Sequence, residues 1–171
     1  MSFAIAAGNP DPRYTTRGAI YVPAKDGVTT WFDGVVSTIK LQAASTHGTL
    51  GLIEASIPPG AGPGGHAHAD TDETFYLLSG ELEILDGDAH FRAGPGDLVH
   101  VPRGSRHGLK NVGLHPARVL ALFTPGGLEG LFVEGGDEAQ PGVPVPLWGA
   151  ERWNEPFLIE LFRKYGAEAL L

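Results

Sequence analysis

Three histidines and one glutamate occupy positions in the sequence from which they could hold one divalent metal ion. His66, His68 and Glu73 lie close together, and His107 follows in a second segment. The spacing involves ten residues, namely Gly60, His66, His68, Glu73 and Gly80 in a first motif and Gly96, Pro102, Gly104, His107 and Asn111 in a second. Three imidazoles and one carboxylate suit a divalent transition metal and leave coordination positions for water, substrate or oxygen. The pattern predicts a metal-dependent enzyme.

Short apolar runs separated by turns must position these four side chains. The chain has 171 residues, of which 25 are Gly and 14 are Pro, spread between the runs. We predict strands over residues 19–22, 29–32, 35–41, 49–57, 73–78, 81–85, 89–92, 97–101, 109–112 and 118–123. The run Asp86-Gly87-Asp88 predicts a hairpin turn. Many short strands with regular turns indicate an all-β sandwich or barrel.

Strand alternation predicts which side chains share a face with the histidines and the glutamate. Phe75 and Leu77 follow Glu73 at even spacing, and Leu109 and Asn111 follow His107. With the histidines pointing inward, a substrate pocket would be lined by Phe75, Leu77, Leu109 and Phe123. The alternative is that these side chains simply fill a small barrel. His100 should point away from the face of its neighbours, and the loop over residues 69–72 must change register.

The C-terminal part of the chain has a helical pattern. Residues 127–133 predict one or two helical turns. Asn154 is a predicted N-cap with Pro156 in the first turn and with a staple between Trp153 and Leu158. The apolar face of this helix is predicted to contain Phe157, Leu158, Leu161, Phe162 and Tyr165, with Gly166 as its end. We favour packing of this face on the barrel, with a lid or a dimer contact as the alternative.

Charge and composition exclude several kinds of partner. The formal net charge is −8, and no basic stripe is present, so nucleic acid is a poor partner. There is no cysteine, so no thiolate can act as a nucleophile or ligand. No apolar stretch approaches the roughly 20 residues needed to cross a bilayer, and the first ten residues do not resemble a secretory signal. We therefore expect a cytoplasmic protein with no membrane partner.

The combined motifs closely resemble the two conserved motifs of the cupin superfamily, over residues 38–123. The resemblance implies a small antiparallel jelly-roll β-barrel with a C-terminal helix, and a metal held inside by His66, His68, Glu73 and His107. We expect an N-terminal extension with edge strands over residues 1–35, the barrel over 36–125, and a loop and helix over 126–171. The resemblance also implies a homodimer, because cupin barrels commonly pair between subunits.

Flanking segments over residues 58–63, 75–82 and 124–132 resemble single-domain bacterial cupins of the quercetin-dioxygenase-like group. This resemblance implies a metal-dependent dioxygenase acting on a small hydroxylated or enolisable compound with O2. Glu73 would be the catalytic base that deprotonates the substrate. The cofactor would be one divalent ion, Fe, Mn, Co, Ni or Zn. A redox-neutral isomerase or lyase, and a non-catalytic small-molecule-binding protein, remain as alternatives.

Overall fold

A computed structural model describes residues 18–170 as two packed β-sheets with helices along one side. The strands are β1 Val28–Phe32, β2 Val35–Leu41, β3 Gly51–Ile57, β4 His66–His68, β5 Asp72–Ser79, β6 Leu82–Asp86, β7 Ala89–Ala93, β8 Leu98–Val101, β9 His107–Asn111, β10 Ala117–Thr124, β11 Asp137–Glu138 and β12 Ala167–Ala169. The helices are α1 Glu129–Gly135, α2 Ala150–Trp153 and α3 Pro156–Lys164.

All strand pairs are antiparallel, and the strands form two sheets that enclose the core. The first sheet has the order β11-β1-β2-β3-β10-β5-β8, and the second has the order β12-β4-β9-β6-β7. Buried and less buried residues alternate along β3 and β10, so Ile53, Ile57, Val119 and Phe123 point between the sheets. The predicted all-β jelly-roll barrel with a C-terminal helix is confirmed.

Glycines allow two of the sharp connections between neighbouring strands. Gly87 has φ +62 in the two-residue turn that brings Asp86 into register with Ala89, which confirms the predicted hairpin. Gly80 has φ +88 between β5 and β6, and a Cβ atom there would lie 2.5 Å from the Cα of Ala117. A side chain at position 80 would therefore be strained and would also push β10 away.

Several predicted elements differ from the structure. Residues 19–22 form no strand, because the short apolar run there has no neighbouring strand with which to pair. The strands β4, β11 and β12 were not predicted, because two or three residues are too few to show a periodicity. Residues 167–169, expected to be a plain extension after the helix, form β12 and pair with β4.

The C-terminal helices pack against the barrel through a few apolar side chains. Leu158 and Leu161 of α3 and Leu131 of α1 are buried in the same cluster as Phe32 of β1. The prediction that α3 packs on the barrel is therefore confirmed for these residues. Phe157 was wrongly placed on the buried face, since it is 55% exposed. Among residues 18–170, no helix is long and apolar enough to cross a membrane.

The predicted N-cap of the last helix is wrong. The helix α3 begins at Pro156, and its N-cap residue is Glu155, whose side chain makes no capping bond. The Asn154 side chain, directly after the end of α2, instead donates a hydrogen bond of 2.7 Å to the carbonyl oxygen of Ala150, the first residue of α2. The Asn154 side chain therefore bonds to the short helix α2 that precedes it, and not to α3, as the sequence pattern predicts. The predicted staple between Trp153 and Leu158 is wrong as well, because these residues would have the required positions only if Asn154 were the N-cap.

Candidate metal centre

The four predicted ligand residues come together between the two sheets. His66 and His68 lie on β4 and His107 lies on β9, both in the second sheet, whereas Glu73 lies on β5 in the first sheet. One ligand atom from each residue lies within 4.8 Å of the others. The loop between His68 and Glu73 crosses from one sheet to the other, which explains the change of register predicted there. The cluster therefore joins both halves of the barrel.

Hydrogen bonds to backbone carbonyls orient two of the imidazole rings. The His66 Nδ1 atom lies 2.8 Å from the carbonyl oxygen of Gly64, and the His107 Nδ1 atom lies 3.0 Å from that of Ser105. Each Nδ1 therefore donates a proton, and each Nε2 is left to face inward. The Glu73 Oε2 atom lies 2.9 Å from His107 Nε2 and 3.1 Å from His68 Nε2.

The chemistry of this donor set fits a divalent cation. Glu73, His68 and His107 are buried, and His66 is partly buried. An ionised carboxylate and several nitrogen lone pairs that converge in a buried space repel one another unless a proton or a metal ion lies between them. Mixed imidazole and carboxylate donors are a common ligand set for first-row divalent metals. The four side chains are thus suited to hold one such ion.

The pKa values of the metal-free cluster follow from burial and from these contacts. Burial, together with the neighbouring His107, lowers the pKa of His66 to about 4. Burial alone would raise the pKa of Glu73, but hydrogen bonds from His107 and His68 outweigh it and lower this pKa to about 2. Burial opposes protonation of His107 as well, yet the hydrogen bond to Glu73 raises its pKa. Without metal, the contact between the two groups therefore favours an ionised Glu73 and a protonated His107.

The strand that carries two of the ligands is held mainly by the C-terminal end of the chain. The strand β4 pairs with β9 where His66 is in register with His107. It pairs with β12 at three positions, including His66 with Ala169 and His68 with Ala167. Without β12, the ligand strand would be a short edge strand of the second sheet. This pairing could not be predicted from the sequence, because β12 is short and lies about a hundred residues after β4.

Gly65 permits the close approach of the C-terminal segment to β4. The Leu170 amide donates a hydrogen bond of 2.8 Å to the carbonyl oxygen of Gly65. A Cβ atom at position 65 would lie 2.6 Å from the carbonyl oxygen of Leu170 and 3.0 Å from the Arg106 guanidinium. Arg106 also donates to the Leu170 carbonyl at 3.3 Å. Gly65 is therefore required for this contact, directly before the ligand His66.

The turn before His107 is tied to the neighbours of the other ligands. The Arg103 backbone amide and Nε atom each lie 2.9 Å from Asp72 Oδ1, next to Glu73. The Gly104 amide donates a hydrogen bond of 2.7 Å to the carbonyl oxygen of His68. These bonds join the segment that precedes His107 to the segment that precedes Glu73. They fix the relative positions of ligands that are far apart in the sequence.

Asn111, the last residue of the second motif, has a structural role. Its buried side chain donates hydrogen bonds of 2.7 Å to the carbonyl oxygen of Ile57 and 2.8 Å to that of His115. Its Oδ1 atom accepts a hydrogen bond of 2.8 Å from the Gly113 amide. The residue thus closes the turn after β9 and is absent from the ligand cluster.

The predicted pocket residues are part of the packed core. Phe75, Leu77, Leu109 and Phe123 are almost fully buried and belong to one apolar cluster. They point between the sheets as the alternation predicts, and their role in lining a substrate pocket stays a prediction. His100 is exposed, and its Nδ1 atom lies 2.8 Å from Thr74 Oγ1 on the outer face of the first sheet. It does not join the ligands.

Comparison with known proteins agrees with this architecture. A family model described as "Cupin domain" matches residues 53–123. The crystal structure of a predicted oxalate decarboxylase from Thermotoga maritima superposes with a TM-score of 0.59 at 21% identity, covering 62% of this chain and 99% of that one. This likeness concerns the fold alone. With both motifs complete and the four side chains converging inside the barrel, residues 53–123 form a cupin domain.

Two curated relatives share part of the sequence. The tetracenomycin polyketide synthase protein TcmJ of Streptomyces glaucescens is 35% identical over 81 residues, which are 47% of this chain and 53% of that protein. Quercetin 2,3-dioxygenase of Bacillus subtilis is 28% identical over 93 residues, which are 54% of this chain and 27% of that protein. The chain therefore spans about half or less of the length of these two relatives.

Proposed function

We propose that this protein is a metal-dependent dioxygenase of the quercetin-dioxygenase-like type, acting on a small hydroxylated or enolisable compound with O2. The observation that carries the proposal is the convergence of three imidazoles and the Glu73 carboxylate within 4.8 Å. The partial similarity to quercetin 2,3-dioxygenase supports the reaction class. His66, His68, Glu73 and His107 would hold the ion, which could be Fe, Mn, Co, Ni or Zn.

The charge of the centre favours a substrate that binds through an anionic oxygen. Three neutral imidazoles, one carboxylate and a divalent ion sum to about +1. A bound divalent metal would supply Lewis acidity, and a redox-active one would also supply reactivity toward O2. An enolate or phenolate oxygen would offset the positive charge of such a centre. Substrates that can lose a proton from oxygen are therefore preferred.

Glu73 is the residue that we assign to proton transfer. Its Oε2 atom already accepts hydrogen bonds from His68 and His107, so the carboxylate is held at the centre of the cluster. A carboxylate ligand can accept a proton on oxygen, whereas a neutral imidazole that binds a metal through Nε2 has no free lone pair. A proton from a substrate hydroxyl would therefore move to a Glu73 carboxylate oxygen.

The apolar core next to the ligands would keep water from the reacting substrate. Phe75 and Leu77 continue the inner face of β5 beyond Glu73, and Leu109 continues that of β9 beyond His107. All three are buried. A dry surrounding strengthens electrostatic interactions at the centre and limits side reactions of activated oxygen.

Oxygen uptake with defined metal forms tests the proposal. The protein is loaded with Fe, Mn, Co or Ni and assayed with flavonols and 1,3-diketones. We expect substrate-dependent uptake with at least one metal, and loss of uptake in Glu73→Gln that retains its metal. No uptake with any pairing would contradict the proposal. Turnover without oxygen would instead support an isomerase or lyase, and ligand binding without turnover that survives Glu73→Gln would support a binding protein.

A further inference from the structure

A narrow slot opens between the two sheets beside the metal centre. The strand β8 ends the first sheet and β7 ends the second, and the chain passes from β7 to β8 through residues 94–97. A cavity of about 130 Å³ lies at this side of the barrel. Its lining includes Ile84, Asp86, Phe91, Val99, His100 and Val101. We call this cavity the β7–β8 slot.

Strand register places one end of the slot at the ligands. Asp86 is the Cα partner of His107, and Val101 is the Cα partner of Glu73. Residues directly opposite in an antiparallel pair point to the same face, so Asp86 points to the inner face with His107. The burial of Leu82 and Ile84 on the same strand agrees with this direction, while Asp86, at the end of the strand, is accessible from outside. Asp86 is thus a carboxylate beside a metal ligand, and it has no part in the ligand cluster itself.

Apart from Asp86 and His100, the named lining residues are apolar, and they include an accessible aromatic ring. Phe91 is the Cα partner of Ile84 and shares its inward direction, yet Phe91 is 42% exposed whereas Ile84 is buried. Val99, the partner of Phe75, faces it from the other sheet. An inward-facing phenylalanine that stays accessible leaves a ring surface free for a ligand. The slot therefore has an apolar surface along its length and the Asp86 carboxylate at the end nearest the candidate metal ligands.

We propose that the β7–β8 slot binds the ring of a single-ring hydroxylated aromatic substrate, with Asp86 accepting a hydrogen bond from a ring hydroxyl and Phe91 packing on the ring. This inference rests on the proposed function and names its substrate class. An apolar cavity of about 150 Å³ can hold benzene, whereas sites for larger, drug-sized ligands occupy roughly 300 Å³ or more. The Asp86 carboxylate favours a hydroxyl donor and repels an anionic ring substituent at this position.

Fluorine NMR titration of the full chain tests the slot directly. The probes are 4-fluorophenol, its methyl ether 4-fluoroanisole, and 4-fluorobenzoate, each added to metal-free and to zinc-loaded protein. In the metal-free protein we expect the phenol to bind more tightly than the ether and the benzoate to bind least, whereas a loaded zinc ion would itself attract the benzoate. Asp86→Asn should weaken phenol binding about tenfold, the size expected for losing a hydrogen bond to a charged acceptor, and should leave the ether unchanged. Asp88→Asn, on the same turn and exposed, is the matched control.

Two further variants separate slot binding from general damage. Phe91→Ala should weaken the phenol and the ether alike, and Val99→Phe should block both by filling the slot. Zinc stoichiometry in each variant reports whether the barrel and the ligand cluster remain intact. The inference is overturned if the wild-type protein binds no phenol up to its solubility, or if Asp86→Asn and Val99→Phe bind it as the wild type does.

The two proposals fail in different ways in these experiments. Binding of the phenol in the slot, together with no oxygen uptake by any metal form, would reject the dioxygenase and keep the slot. Oxygen uptake that is unaffected by Asp86→Asn and Val99→Phe would keep the dioxygenase and reject the slot. The fluorine NMR titration does not depend on turnover. Phenol binding and oxygen uptake can therefore be interpreted independently.

Discussion

His107 Nε2 and Glu73 Oε2 lie 2.9 Å apart, although the two residues belong to opposite sheets and are 34 positions apart in the sequence. This contact links the two sheets within the cluster, and the contact between His68 Nε2 and Glu73 Oε2 adds a second link at 3.1 Å. A metal ion bound here would therefore be held by both sheets. Its binding should stabilise the packing of one sheet on the other.

Removal of one imidazole should abolish stoichiometric metal binding. His66→Ala and His107→Ala each delete a nitrogen donor from a set of four. The loss of metal affinity should exceed the roughly 10- to 100-fold loss that follows removal of a residue hydrogen-bonded to a metal ligand. Elemental analysis and zinc titration of the purified variants measure it. His115→Ala, at an exposed histidine outside the cluster, should keep full occupancy. Full occupancy in either ligand variant would show that the cluster is not the metal site.

Metal uptake should release a proton from His107. The hydrogen bond to Glu73 raises the pKa of His107 against the effect of burial, so this imidazole holds its proton to higher pH than a free histidine. Metal binding requires the neutral ring, so affinity should fall as pH drops through this raised pKa and level off above it. Calorimetric zinc titrations in two buffers of different ionisation enthalpy measure the protons released.

His66 should release no proton in the same experiment, in contrast to His107. Burial lowers its pKa to about 4, so this ring is already neutral across the range in which His107 titrates. Release should therefore approach about one proton per metal at pH values below the pKa of His107, fall as the pH rises through this pKa, and vanish at higher pH. Heats that are independent of the buffer at every pH would contradict the assignment of a protonated His107.

Gly65→Ala should weaken metal binding although residue 65 is not a ligand. The new Cβ would lie 2.6 Å from the carbonyl oxygen of Leu170, so the C-terminal segment must move away from β4. His66 would then lose the support of its neighbour Ala169, and we expect affinity for zinc to fall about tenfold. Gly64→Ala is the matched control, because a Cβ there meets nothing within 4 Å. Equal zinc affinity in both variants would show that β12 does not position the ligands.

Asn111→Ala should lower stability without changing the metal stoichiometry. The substitution leaves the buried carbonyl of Ile57 without the donor that it has from Nδ2, and it also removes the acceptor of the Gly113 amide. An unsatisfied buried group costs about 1–3 kcal/mol, so the free energy of unfolding should fall by at least that amount. Urea unfolding with parallel zinc titration separates the two properties. Asn154→Ala, which removes an exposed hydrogen bond, should have a much smaller effect.

The sequence allowed the barrel and the four candidate ligands, which converge in the structure, to be predicted because local spacing carries that information. Alternation along β5 and β9 correctly grouped Glu73 with Phe75 and His107 with Leu109. Neither β12 nor the position of Asp86 could be found in the same way. Asp86 reads as an ordinary turn residue, and its place beside His107 depends on the pairing of β6 with β9. Packing determines which distant strands are in contact, and the hydrophobic periodicity of each segment does not show its partner.

The pairing of β4 with β12 has a consequence for how the centre forms during folding. Roughly one hundred residues separate the two strands, so the loop that they close spans most of the barrel. During synthesis the ribosome still holds residues 167–169 when both histidines of β4 have already emerged. An ion captured before that moment would meet a flexible precursor, and we therefore expect mature affinity to develop only after translation has passed residue 170.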